Sequence, residues 1–212
     1  SEENIMPLGA NKAAIMGVAG VSTGDVVLLS TQTASDSASI TFSSGIDSTY
    51  GEYIFGFYNI DVQTADKHFS FLVNATDTAD YDDVTITSTS FSVRHSEDNT
   101  IATGPAYETA LDLANQVTTS YNGQTIFAGQ GNSGADECFS GVMHLFNPSS
   151  TTYVKHFIAR VTGVRSGNDN TPSAAEFYTA GYLNDTTAID DIKFAQHSGN
   201  LVSGTIKMWG VK

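Results

Sequence analysis

The 212 residues carry 23 Asp and Glu against 9 Lys and Arg, a formal charge of −14 and a pI near 4.4. So acidic a chain repels phosphate backbones and anionic headgroups, which argues against nucleic acid and membrane surfaces as partners. The single cysteine, Cys138, excludes an internal disulfide framework and any cysteine-based zinc cluster, while 40% apolar and 10% aromatic residues are enough for a core without such staples.

In chain order, Ser1-Glu2-Glu3-Asn4 lacks the basic and apolar regions of a signal peptide, and no stretch approaches the ~18 apolar residues of a membrane span. Residues 1–24 scatter Ile5, Met6, Leu8, Ile15 and Met16 among Gly, Ala and Asn with neither a period of two nor a helical stripe. That texture predicts an N-terminal arm ahead of one domain over 25–212, either a loosely packed terminus or a segment whose apolar side chains order on a partner subunit. From Val26 onward, short β-branched and aromatic runs are separated by Gly, Asp, Asn and Ser, the spacing of an antiparallel β-sandwich. The expected strands are 26–31, 38–43, 52–62, 68–74, 84–94, 125–128, 139–146, 153–164, 176–183, 189–196 and 204–211. Around Tyr53, Phe55 and Phe57, the interleaved Ile54, Gly56 and Tyr58 make both faces apolar, which predicts a central strand or one covered on both sides. One short helix is expected after Pro105: Pro suits the first helical position, Glu108 the first turn, and Ala106, Ala110, Leu113 and Val117 recur at helical spacing.

Gly129-Gln130-Gly131-Asn132-Ser133-Gly134 matches the dinucleotide fingerprint, but residues 135–146 read as turn and strand where that chemistry needs a helix N-terminus. It is read as a glycine-rich β-loop. Acidic residues gather at Asp77, Asp80, Asp82 and Asp83 and at Asp185, Asp190 and Asp191; such oxygens suit calcium, but neither run has the full calcium-loop pattern, and Asp is also a turn former. His144 and His156 flank the turn Asn147-Pro148-Ser149-Ser150 without a third zinc ligand. No nucleophile elbow or Ser-x-x-Lys pair stands out, so the expectation is a non-enzymatic protein without a cofactor or resident metal.

Four strings carry a resemblance: 30–50 (STQTASDSASITFSSGIDSTY), 52–60 (EYIFGFYNI), 143–157 (MHLFNPSSTTYVKHF) and 198–212 (SGNLVSGTIKMWGVK). They resemble β-rich virion proteins of tailed phages, chiefly those of marine bacteria and cyanobacteria, over the chain from about Val26 to its end. The resemblance implies a jelly-roll-like domain of the tail-fibre or head-decoration type, localised to the virion, contacting other capsid or tail proteins and associating as a homo-oligomer, commonly a trimer. The chain departs from the long-fibre pattern in having no coiled-coil heptads or shaft repeats ahead of the domain. A second expectation is a carbohydrate-binding module that recognises a host surface glycan, with Tyr81, Tyr121, Tyr178 and Trp209 as the stacking aromatics.

Overall fold

A computed structural model of the chain describes residues 25–77, 80–81, 83–118, 122–129, 137–166 and 171–212. The arm residues Ile5, Met6, Leu8, Ile15 and Met16, together with Tyr121, Asp82 and Gln130 to Gly134, lie outside the described residues.

The described chain forms thirteen strands: β1 (Val26–Thr33), β2 (Ile40–Phe42), β3 (Glu52–Val62), β4 (His68–Ala75), β5 (Ile86–Ser96), β6 (Ala102–Tyr107), β7 (Ala114–Gln116), β8 (Gln124–Ala128), β9 (Phe139–Phe146), β10 (Lys155–Arg165), β11 (Ser173–Leu183), β12 (Ile189–Gln196) and β13 (Leu201–Val211). They pair antiparallel into a nine-stranded sheet in the order β1-β13-β3-β9-β10-β11-β5-β6, with β7 also on β5, and a four-stranded sheet in the order β2-β12-β4-β8. Without β5–β7 and β10–β11, eight strands remain, β1-β13-β3-β9 facing β2-β12-β4-β8. The chain crosses between the sheets at almost every step, which is the jelly-roll wrap of two Greek keys. The remaining strands are inserted between β4 and β8 and between β9 and β12, and both insertions widen the same sheet. The first and last strands lie side by side, and the Lys212 amide donates to the Asp25 carbonyl at 2.9 Å.

The core is where the two sheets meet, and aromatic rings dominate it. The Phe194 ring on β12 lies within 5.2–6.4 Å, centre to centre, of Phe42, Phe55, Phe57, Phe69 and Phe71, so one side chain joins strands of both sheets. Further along, Phe127 on β8 meets Phe139 and Phe177, and Phe71 meets Phe157, carrying the small sheet's cover onto β10 and β11. Beyond that reach, the inner face of β5 turns to small polar residues. Ser90 hydrogen-bonds Thr179 at 3.0 Å, and the buried Leu111 and Leu113 complete the cover.

These leucines account for the failure of the expected helix: no helix occurs among the described residues, and the segment after Pro105 is β6, a turn and β7. Apart from the turn bond from the Leu111 amide to Glu108 O, its backbone groups bond mainly to β5. The Glu108 amide donates to Ser90 O, the Ser88 amide to Leu113 O and the Leu113 amide to Ser88 Oγ. Gly104 and Pro105 fall where the β5–β6 register shifts, on a strand at the end of the sheet, where a missing N–H is tolerated. The apolar spacing that mimics a helical stripe is two leucines plugging the inner face of β5. Of the two alternatives expected for 52–62, the structure gives the first: β3 is central, between β13 and β9, with its outer face open and Tyr58 46% exposed.

Lys155 is fully buried at the start of β10, where its Nζ donates to the carbonyls of Asp185 and Thr187. Burial lowers its pKa, partly offset by the nearby Asp185 charge. The Thr187 amide donates to Asp185 Oδ1 at 2.6 Å, so this acidic residue shapes a turn. Together these bonds fix the loop that leads into β12.

Candidate functional site

Two surfaces bring functional side chains together, one on the outside of each sheet. On the nine-stranded sheet, strand alternation turns Tyr53, Phe55 and Phe57 inward and their neighbours outward. Register then aligns the outward residues across strands: Leu28 with Trp209, Trp209 with Ile54, Ile54 and Ile158 with His144, and Ile158 with Ala180. A parallel row runs through Arg160, Tyr178, Phe91 and Tyr107. Ile158 and Leu28 are each 51% exposed and Tyr107 55%, so the apolar character is open to solvent.

Two aromatic groupings stand out within these rows. Phe91 and Tyr178 stack at 4.8 Å and 10°, with the Arg160 guanidinium 5.2 Å from the Tyr178 ring and paired with Glu176. Trp209 packs over Gly56 so closely that a Cβ there would sit 2.8 Å from the indole, and Tyr58 meets the same indole edge-on at 6.4 Å. Lys207 Nζ lies 5.3 Å from the Tyr58 ring. His144 Nδ1 contacts Glu52 Oε1 at 2.5 Å, and His156 lies against Tyr182, so neither histidine makes the cross-hairpin pair its position suggests. On this face Lys207 and Arg160 offset Glu52 and Glu176, and Asp112 accepts from the Tyr107 hydroxyl at one end, leaving the face close to neutral in a chain of −14.

The outside of the small sheet is different. In β12 both Ile189 and Ile192 point into the core, although they are three residues apart, because the register against β4 shifts between Ile189 and Asp191. This bulge places Asp190 and Asp191 together on the outer surface. Asp191 lies opposite Asn74 of β4, which is only 6% exposed and whose Oδ1 has no hydrogen-bond partner; Asp190 Oδ1 is likewise buried and unpartnered. Tyr81 leans in from the β4–β5 loop, its hydroxyl close to Asp191 and Thr41. Burial, then the charges of Asp191 and Asp190, raise the Tyr81 pKa; burial, then Asp190, raise that of Asp191. Lys193 Nζ lies 4.1 Å from the Tyr81 ring. Beside it runs an open groove of about 460 Å³, lined by Leu72, Tyr81, Val117, Asn122, Lys193 and Ala195 among others.

The structure therefore divides the expected stacking residues. Trp209 and Tyr178 share the outer face of the large sheet, four strands and roughly 19 Å apart. Tyr81 is half-buried on the opposite side, with one ring face taken by Lys193. Sequence reasoning missed Tyr58, Phe91, Tyr107 and Ile158, which strand parity relative to the buried residues would have shown. Of the acidic residues, Asp185 serves the turn before β12 while Asp190 and Asp191 meet at the bulge. Among the described residues, no three His, Cys, Asp or Glu side chains converge as metal ligands.

Fold and surfaces define the chain as an antiparallel jelly-roll-like sandwich with one sheet enlarged. No protein-family model matches it, and neither a curated protein nor a solved structure does.

Proposed function

We propose that the chain is a non-enzymatic structural protein of a tailed-phage particle surface, and that it associates with further copies of itself through the outer face of the nine-stranded sheet. The observation that carries this reading is the open apolar tract through Leu28, Trp209, Ile158 and Phe91. Contiguous exposed apolar surface on a folded chain marks an interaction site. Its near-neutrality favours another copy as the occupant, since two chains of −14 meet with least repulsion where carboxylates are balanced. The placement on a virion rests on the sequence resemblance, which also implies a trimer.

Light scattering on the full chain at micromolar concentration tests the association. A mass of three chains is expected, falling to one in an Ile158→Asp, Phe91→Asp double variant. A monomeric wild-type protein would overturn self-association. A second reading, glycan recognition, is favoured by Trp209 and Tyr58, which form an aromatic corner beside Lys207. Binding on a glycan array that is lost in Trp209→Ala would select it.

A further inference from the structure

We propose that Asp190, Asp191 and Asn74 form a calcium site on the outside of the small sheet, beneath the loop that carries Tyr81. The geometry has two independent parts. First, the β12 bulge sets two consecutive carboxylates side by side, where a regular strand would send one of them into the core. Second, Asn74 is almost fully buried opposite Asp191, with its amide oxygen unpartnered, and one carboxylate oxygen of Asp190 shares that condition. Buried oxygen acceptors of this kind are nearly always satisfied in folded proteins, and a cation satisfies several at once.

The donors are all hard oxygens, with no thiolate or imidazole among them, which selects against zinc and copper. Calcium accepts six to eight oxygens in irregular arrangements at roughly 2.3–2.6 Å, and the partial exposure of both carboxylates leaves room for water to complete the shell. Magnesium demands a near-regular octahedron and dehydrates reluctantly, so it suits this set less well. The bulge is held in place from both sides: the Thr76 amide donates to Ala188 O, the Ile189 amide to Pro148 O, and Lys155 anchors the preceding loop. Asn74 heads an Asn-x-Thr triplet, but its burial makes it a ligand and not a glycan acceptor.

The full chain, stripped with chelator, is titrated with calcium chloride, magnesium chloride and terbium chloride. Calcium should raise the melting midpoint by about 5 °C at saturating concentration, with magnesium giving a smaller shift at matched ionic strength. Terbium should show tyrosine-sensitised emission, because Tyr81 lies beside Asp191. Asp190→Asn and Asp191→Asn keep side-chain size and should abolish both signals while leaving the metal-free chain folded; Asp185→Asn, in the neighbouring turn, should keep them. A midpoint unmoved by calcium, equal shifts from calcium and magnesium, or responses that survive in Asp190→Asn would each overturn the proposal. Tyr81→Phe should retain calcium binding and its thermal shift but lose most terbium emission, and emission that persists in this variant would place the ion at a different cluster and overturn the proposal.

Discussion

The two outer faces of this sandwich are built on opposite principles. From β9 through β10 and β11 to β5 the large sheet pairs without a break in register, and its outward side chains align across seven neighbouring strands from β1 to β5, so its surface is open and apolar, its few charges set against one another. The small sheet presents a bulge, an overhanging loop and buried polar groups without partners, so its surface is uneven and charged. The unbroken ladders around β10 yield an open docking surface, whereas the break between Ile189 and Asp191 brings two carboxylates onto one face beside a buried amide. The same core supports both.

That shared support is the first point to break. Phe194 touches five rings drawn from both sheets, so Phe194→Ala should cost about 4 kcal/mol. Hydrogen exchange should show both sheets losing protection together; loss confined to the small sheet would mean that the faces are independently stable. Lys155 acts on one side only. Lys155→Met leaves the Asp185 and Thr187 carbonyls without their buried donor, which should cost about 3 kcal/mol in chemical denaturation and loosen the loop before β12 most.

A pH titration sharpens the contrast further. Burial, followed by His197, Arg165 and Lys67, lowers the His68 pKa to about 4 from 6.5. The folded chain therefore binds fewer protons than the unfolded chain between these values. The stability this histidine contributes is complete above pH 6.5, declines as pH falls towards 4 and is gone below it, a loss of about 2 kcal/mol after allowance for partial solvent access. The difference in stability between wild type and His68→Gln across that window isolates it from carboxylates such as Asp61, whose burial raises the pKa and so favours the folded state as pH falls.

Smaller effects belong to the open face. Gly56→Ala forces the indole of Trp209 to move, at about 1 kcal/mol, and because Trp209 is the only tryptophan the displacement is read directly from its emission. Ile158→Asp should change stability by less than about 1 kcal/mol, since the side chain is half exposed, while lowering the mass in solution. A large stability loss there would mean that the face is core, not interface.

Eleven of the strands are legible in sequence because β-branched and aromatic runs end at Gly, Asn and Asp, and 52–62, 139–146 and 189–196 coincide with β3, β9 and β12. β6 and β7 are not, because the apolar spacing around Leu111 and Leu113 serves a long-range contact with β5 that mimics helical periodicity. The open face is half legible: Tyr178 and Trp209 are recognisable as aromatic candidates, but their alignment depends on pairings set by the jelly-roll wrap. The Asp190–Asp191 bulge is hidden for a different reason. Two adjacent acids read as an ordinary turn or strand edge, and only the register against β4, with Tyr81 arriving from a distant loop, reveals what they face.

The adjacency of Asp25 and Lys212 has a mechanical consequence. Tension applied between these two points would load the β1–β13 ladder at one end, so its rungs part in succession, as a zipper opens, and not all at once in shear. A tether that holds both points on one support removes that lever and leaves the sandwich unstressed, however hard the far side is dragged.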